Sequence, residues 1–283
     1  MTFQALAGAL SLGYSPCPND TFIFYALVHG RIDTAGLRFK ETLLDVETLN
    51  QKALNSELDI TKVSFHAFAF LRESYRLLRA GGALGRGCGP LVVAKRGTSM
   101  EDLRGKKIAI PGRLTTASLL LQLYDPALGT DVVVMPFDRI MDAVKGGAVD
   151  AGLIIHESRF TYPAYGLSEV VDLGRWWEGD TGLPLPLGCI IAKKGLGNEV
   201  IHTIDMLVRK SVEYAFAHRE ETKEYIKAHC REMEEAVIEQ HIGLYVNDFS
   251  LDLGSEGMAA VDELLRRAEA HGIIPGGMNA AVR

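Results

Sequence analysis

Two stretches of this chain, LNQKALNSELDITKVS (residues 49–64) and IMDAVKGGAVDAGLII (140–155), run through the same phrase: a helix, a small polar turn, an aspartate, then a strand. One lies in each half of the 283-residue chain, and around them strands and helices alternate. GALSLGYS (8–15) suits a strand, and TFIFYALVHG a helix that Asn19 or Asp20 can cap and Gly30 can close. LRFKETLL suits a second strand before the first copy of the phrase. The second copy is preceded by a buried strand ending at Pro111-Gly112, a helix opening at TTASLLLQLY, and the strand DVVVMPFD. Alternation at this spacing specifies mixed or parallel sheets flanked by helices, and the repeat makes two such α/β lobes.

After LPLPLGCIIAKKG the pattern changes, and residues 198–269 read as helices that pack back on the first lobe. Two similar apolar connections, LVVAKRG (91–97) and CIIAKKG (189–195), suggest the crossings between lobes. The expected organisation is a two-lobed clamshell, with residues 1–96 and 193–283 in the larger lobe and 97–192 in the smaller. Ligands of open α/β sheets sit beyond the carboxyl ends of the strands, here in a cleft between the lobes.

That rule nominates candidates. The first strand delivers Cys17, Asn19 and Asp20; the strand LDITKVS delivers Lys62, Val63 and Ser64. In the second half, Thr115 and Thr116 open a helix, and His156 follows Leu153-Ile154-Ile155. A helix amino terminus carries partial positive charge and unsatisfied N–H groups, so Ser64 and the threonine pair suit an anionic ligand; their hydroxyls equally suit capping of their own helices. Cys17 near a helix start could be a nucleophile, but no accompanying signature supports it, and it reads as an unreactive lining thiol. His66 competes with His156 for the site. His29 suits a helix carboxyl end, and His202, His218, His229, His241 and His271 suit exposed faces of the helical tail.

Several chemistries are excluded. GGALGRGCGP (81–90) contains G-x-x-G-x-G spacing but leads into a strand rather than a helix, the wrong order for a dinucleotide; it reads as a tight turn with a close backbone approach. His156-Glu157 is not H-E-x-x-H, because Phe160 holds the second histidine position. Four scattered cysteines give no structural zinc spacing, and no metal is expected. A net charge of −6 leaves no basic footprint for nucleic acid, and no apolar run approaches membrane-span length. The first basic residue is Arg31, so a secretory leader is not expected and the reading is cytoplasmic. The terminal GIIPGGMNAAVR is expected to fray. Oligomeric state is not legible.

SPCPNDTFIFYALVHG, DVETLN, GGALGRGCGPLVV, GLIIHESRFTYPAYGL and TGLPLPLGCI together resemble the 1,4-dihydroxy-6-naphthoate synthase family of the futalosine route to menaquinone, over about residues 10–260. The resemblance implies a fold of the type II periplasmic-binding-protein kind. It implies a lyase that converts cyclic dehypoxanthinylfutalosine, an anionic small molecule, to 1,4-dihydroxy-6-naphthoate and dihydroxyacetone without a cofactor. It also implies that His156 is the general base and that Lys62, Val63, Ser64, Thr115 and Thr116 contact substrate. A chorismate dehydratase of the same pathway and a non-catalytic solute-binding protein are the alternatives.

Overall fold

The computed structural model describes residues 8–230 and 234–276. Residues 277–283, most of the tail expected to fray, lie outside the described residues. Chain contacts divide the molecule into two units. The first runs to Leu84 and resumes over Gly188–Ser255; the second comprises Gly85–Leu187 and the chain from Glu256 onward.

In the first unit the elements are β1 (Leu10–Tyr14), α1 (Pro18–Val28), β2 (Phe39–Leu43), α2 (Val46–Leu54), β3 (Ile60–Ser64), α3 (Phe65–Leu71), β4 (Tyr75–Leu77) and β5 (Ala83–Gly85). The second unit carries β6 (Leu91–Lys95), β7 (Ile108–Ile110), α4 (Thr116–Tyr124), β8 (Val132–Val134), α5 (Ile140–Gly146), β9 (Ala151–Ile154), α6 (Ser158–Thr161), β10 (Leu167–Asp172) and α7 (Leu173–Thr181). The chain returns through β11 (Leu185–Lys193) to α8 (Asn198–Ala217), α9 (Arg219–His229), α10 (Glu235–Tyr245) and α11 (Asp248–Leu251), and ends on α12 (Gly254–Ala270).

The repeated phrase becomes a repeated topology. The first sheet has order β2-β1-β3-β11-β4 with β5 beside β11, and the second, from its opposite edge, β8-β7-β9-β6-β10. In each, the strand of the repeated phrase is central. β3 pairs parallel with β1 and antiparallel with β11. β9 pairs parallel with β7 and antiparallel with β6. Both strands are fully buried, but only β9 is apolar throughout; β3, Ile-Thr-Lys-Val-Ser, also buries Thr61, Lys62 and Ser64.

The structure moves the expected boundaries. LVVAKRG is no crossing: its strand, β6, is fully engaged in the second sheet, with Leu91 opposite Ile154 and Asp172. The first passage between units therefore falls a dozen residues earlier. The helical tail also divides. α8, α9 and α10 share a buried cluster with β1 and α1, including Leu12, Phe22, Leu27, Val208, Val212, Ile226 and Ile242. α12 instead groups with the second unit. Arg86 pairs with Glu256 at 2.9 Å, Arg267 pairs with Asp180, and the Arg267 guanidinium lies 5.4 Å over the Trp177 ring. The second unit has its own core of Leu91, Val93, Ala109, Ile140, Val144, Ile154 and Leu167. Among the described residues no helix is long and apolar enough to cross a membrane.

Candidate functional site

In the first unit the candidates converge on a buried ion pair that sequence alone did not reveal. α1 starts two to three residues earlier than expected: Cys17 is the N-cap and Pro18 fills the first helical position, where its missing N–H is no loss. Neither Asn19 nor Asp20 therefore caps the helix. Both lie in its first turn and are buried, and there the Asp20 carboxylate meets the positive end of the helix. Its Oδ2 accepts from the Ser15 amide at 3.1 Å and the Ser15 hydroxyl at 2.7 Å. Its Oδ1 accepts from Asn19 Nδ2 and from Lys62 Nζ, each at 2.8 Å. The Lys62 and Asp20 side chains are only 6% and 2% exposed.

The rest of β3 follows from its alternation. Val63 is wholly buried and paired with Cys189, so its side chain is core. Ser64, opposite Gly188 and nearly buried, takes the N-cap position of α3 but makes no side-chain cap bond. Its amide is instead held by Asn50 Oδ1 at 3.0 Å, and Asn50 Nδ2 lies 3.4 Å from its hydroxyl oxygen. α3 has seven residues, so it offers a weaker positive end than the sequence suggested.

In the second unit, Thr115 and Thr116 follow β7, and His156 follows the adjacent parallel strand β9, at the same edge of the sheet. The threonine hydroxyls are engaged internally. Thr115 donates to the Gly112 carbonyl at 2.8 Å and accepts from the Ser118 amide as the N-cap of α4. Thr116 donates to the Leu187 carbonyl at 2.6 Å. A hydroxyl has one proton, so an anion here must be met by the first-turn amides of Thr116 and Ala117, which precede the first intrahelical bond.

His156 is two residues beyond β9 and half-buried, its ring edge-on to Phe137 with centroids 5.0 Å apart. Its backbone has φ of +56°, in the left-handed region that L-residues avoid. Ala35 and Ser56, the other described non-glycine residues at positive φ, are exposed. His66 is buried against Phe70. His29 behaves as expected, with its Nδ1 2.9 Å from the Tyr25 carbonyl at the end of α1.

His241 corrects its expectation. It is fully buried, and its Nε2–H donates to Asn19 Oδ1 at 2.9 Å, fixing the amide that in turn holds Asp20. The signal was present, because Ile238, His241, Ile242 and Tyr245 form one buried helical face. Asn50 carries the same signal, sharing a buried face with Leu49 and Ala53. No disulfide joins the four cysteines; burial pushes the Cys88 thiol up to about 12 and raises that of Cys189 further.

A family model described as menaquinone biosynthesis matches residues 10–270. A 1,4-dihydroxy-6-naphthoate synthase of Thermus thermophilus is 56% identical over 94% of this chain and 96% of its own length. A crystal structure of an Archaeoglobus fulgidus protein matches with a TM-score of 0.89 at 41% identity, over 95% of this chain and 100% of that one. The periplasmic aliphatic sulphonate binding protein of Escherichia coli matches with a TM-score of 0.67 at 13% identity, over 97% and 91% of the two chains. The last likeness is one of fold: the chain has the α/β architecture of periplasmic binding proteins.

Proposed function

The chain belongs to the menaquinone biosynthesis family, and from that premise we propose that it is a carbon–carbon lyase, converting cyclic dehypoxanthinylfutalosine to 1,4-dihydroxy-6-naphthoate and dihydroxyacetone. The observation that carries the reading is the left-handed backbone at His156. Where only a turn is needed, glycine adopts that conformation at no steric cost. A bulky side chain held there, at the carboxyl end of a central strand, argues that the imidazole itself is required.

His156 is the proposed general base. Releasing the three-carbon fragment and forming an aromatic ring requires a proton to be taken from the substrate while negative charge develops on it. A neutral imidazole suits the first task near pH 7, and such bases contribute about 10²–10⁴-fold. Amides of Thr116 and Ala117 at the start of α4 suit the second, or hold the substrate's own negative group. Ser64, with its oxygen near the Asn50 amide, offers its hydroxyl proton to the substrate. Lys62, already paired with Asp20, has further ammonium protons to offer. Aromatisation supplies the driving force. Cys17 serves as a lining thiol and not as a nucleophile. A cytoplasmic setting suits four cysteines with no disulfide among them.

Product analysis after mixing the purified protein with the cyclic futalosine derivative tests the reaction. Naphthoate and dihydroxyacetone should appear in equal amounts, and chorismate should be left unchanged. His156→Ala should bind substrate but lose turnover. Turnover at the wild-type rate would remove His156 from the role.

A further inference from the structure

We propose that Arg159 positions His156, an inference that rests on reading His156 as the base. The turn bearing His156 is fixed at both ends. At one end Ile154 is paired in β9, opposite Leu91 of β6. At the other end Arg159, its side chain 16% exposed, reaches two separate acceptors. Its Nη1 donates to the Gly89 carbonyl at 2.5 Å, and its Nη2 to Asp172 Oδ2 at 2.6 Å. The Arg159 amide also lies 3.3 Å from the His156 carbonyl. His156, with its positive φ, lies between the two anchors, so the chain between them takes up the imposed geometry there.

Both acceptors are themselves immobilised. Asp172 Oδ1 accepts from the Gly174 and Arg175 amides as the N-cap of α7, while Oδ2 accepts from Arg159 at 2.6 Å, with the more exposed Arg175 Nη2 3.7 Å away. Gly89 packs directly against Gly174: a Cβ on Gly89 would stand 2.2 Å from the Gly174 Cα, so only glycine allows this approach. The fork of a guanidinium spans a carbonyl and a carboxylate in fixed directions, which the single ammonium of lysine does not reproduce. Arg159 thus ties the His156 turn to the β6 and β10 side of its sheet, and the imidazole inherits that placement. Arg159 acts through His156 and is not assigned a contact with substrate.

The test is steady-state kinetics on Arg159→Lys, Arg159→Ala and His156→Ala, with far-UV circular dichroism to establish folding. Displacing a base by about an ångström costs on the order of 10²-fold, so Arg159→Lys should lose about that in kcat with KM within about twofold of wild type. Millimolar guanidinium should raise the kcat of Arg159→Ala and leave that of His156→Ala unchanged. Should Arg159→Ala fail to fold, Asp172→Asn keeps a capping oxygen while removing the charge that holds Arg159. It should lower kcat in the same direction, again with KM preserved. A folded Arg159→Lys with wild-type kcat, or a loss confined to KM, overturns the inference. Wild-type turnover by His156→Ala overturns the base assignment instead, whatever Arg159 does.

Discussion

Lys62→Met should destabilise the protein more than a surface charge deletion would, and the structure sets the scale. The Lys62 ammonium and Asp20 carboxylate meet at 2.8 Å with almost no solvent access. The hydrogen bonds from Ser15 and Asn19 stay in the variant, but the carboxylate loses its counter-charge while remaining buried. Breaking a buried pair by removing one partner costs about 3–5 kcal/mol, because an uncompensated charge is left inside. In a chain of this size each kcal/mol moves Tm by about 2–4 °C, so thermal unfolding should fall by roughly 6–20 °C. Asp20→Asn in the same chain removes the stranded charge and keeps an oxygen for Ser15, so the double variant should recover at least half of the loss. The single variants and the double form a cycle, measured by calorimetry or urea unfolding. A Lys62→Met loss under about 1 kcal/mol, or a double variant no better than the single, would refute the reasoning. Activity adds a second reading. Because Lys62 is also a proposed substrate contact, KM of the double variant should stay raised after stability returns.

Three further outcomes follow from the same geometry. His156→Gly should match His156→Ala in losing turnover yet melt higher, since a Cβ in the left-handed region costs about 1–2 kcal/mol that glycine does not incur; equal melting temperatures would contradict that strain. Thr116→Val leaves the Leu187 carbonyl without its 2.6 Å donor and should cost about 1–3 kcal/mol in urea unfolding, while the α4 amides, and hence KM, change little. The hydrogen bond and charge of Arg266, with Arg267, hold the Glu263 carboxyl down at about 2, below its ordinary 4.5. A depressed folded value contributes stability above the unfolded one and loses it as pH falls toward the folded one. Glu263→Gln should therefore flatten the stability profile between pH 4.5 and about 2, and an unchanged slope there would show that the arginines do not stabilise the charged form.

Much of this was legible in the sequence because it is periodic. The repeated helix–turn–Asp–strand phrase is a local pattern, and both copies became central strands with matching neighbours. Strand ends and the turns just beyond them follow by counting, so Lys62, Ser64, Thr115 and His156 could be nominated from the sequence. Partnership could not. Asp20 and Lys62 are joined across a parallel pair and a helix start, and no local signal predicts which buried charge meets which. His241 was misplaced for a different reason: histidines in a polar helical tail were grouped by segment, although the spacing of Ile238, His241, Ile242 and Tyr245 already put this one on the apolar face. The unit boundary at β6 was missed because LVVAKRG and CIIAKKG look alike in composition, whereas their roles are set by which sheet they pair with.

The two copies of the repeated connection also differ in what they place at the end of the strand. Matching the phrases residue for residue puts Ser64 opposite Ile155 and Phe65 opposite His156. After β3 the chain enters α3 at once: Ser64 has the extended backbone of an N-cap, φ −72° and ψ 149°, and Phe65 is already helical and fully buried. After β9, residues 155–157 intervene before α6, and the short SRFT helix that follows brings an arginine rather than an apolar face. An immediate helix start leaves room for a hydroxyl and little else, because the next side chain must enter the core. An interposed turn allows a large polar side chain to stand clear of the strand, at the expense of backbone strain that Arg159 and the β6 pairing hold in place. The proposed roles use that difference: the first copy would hold the substrate and the second would move its proton. A histidine at position 65 would be buried in the core and could not take over from His156.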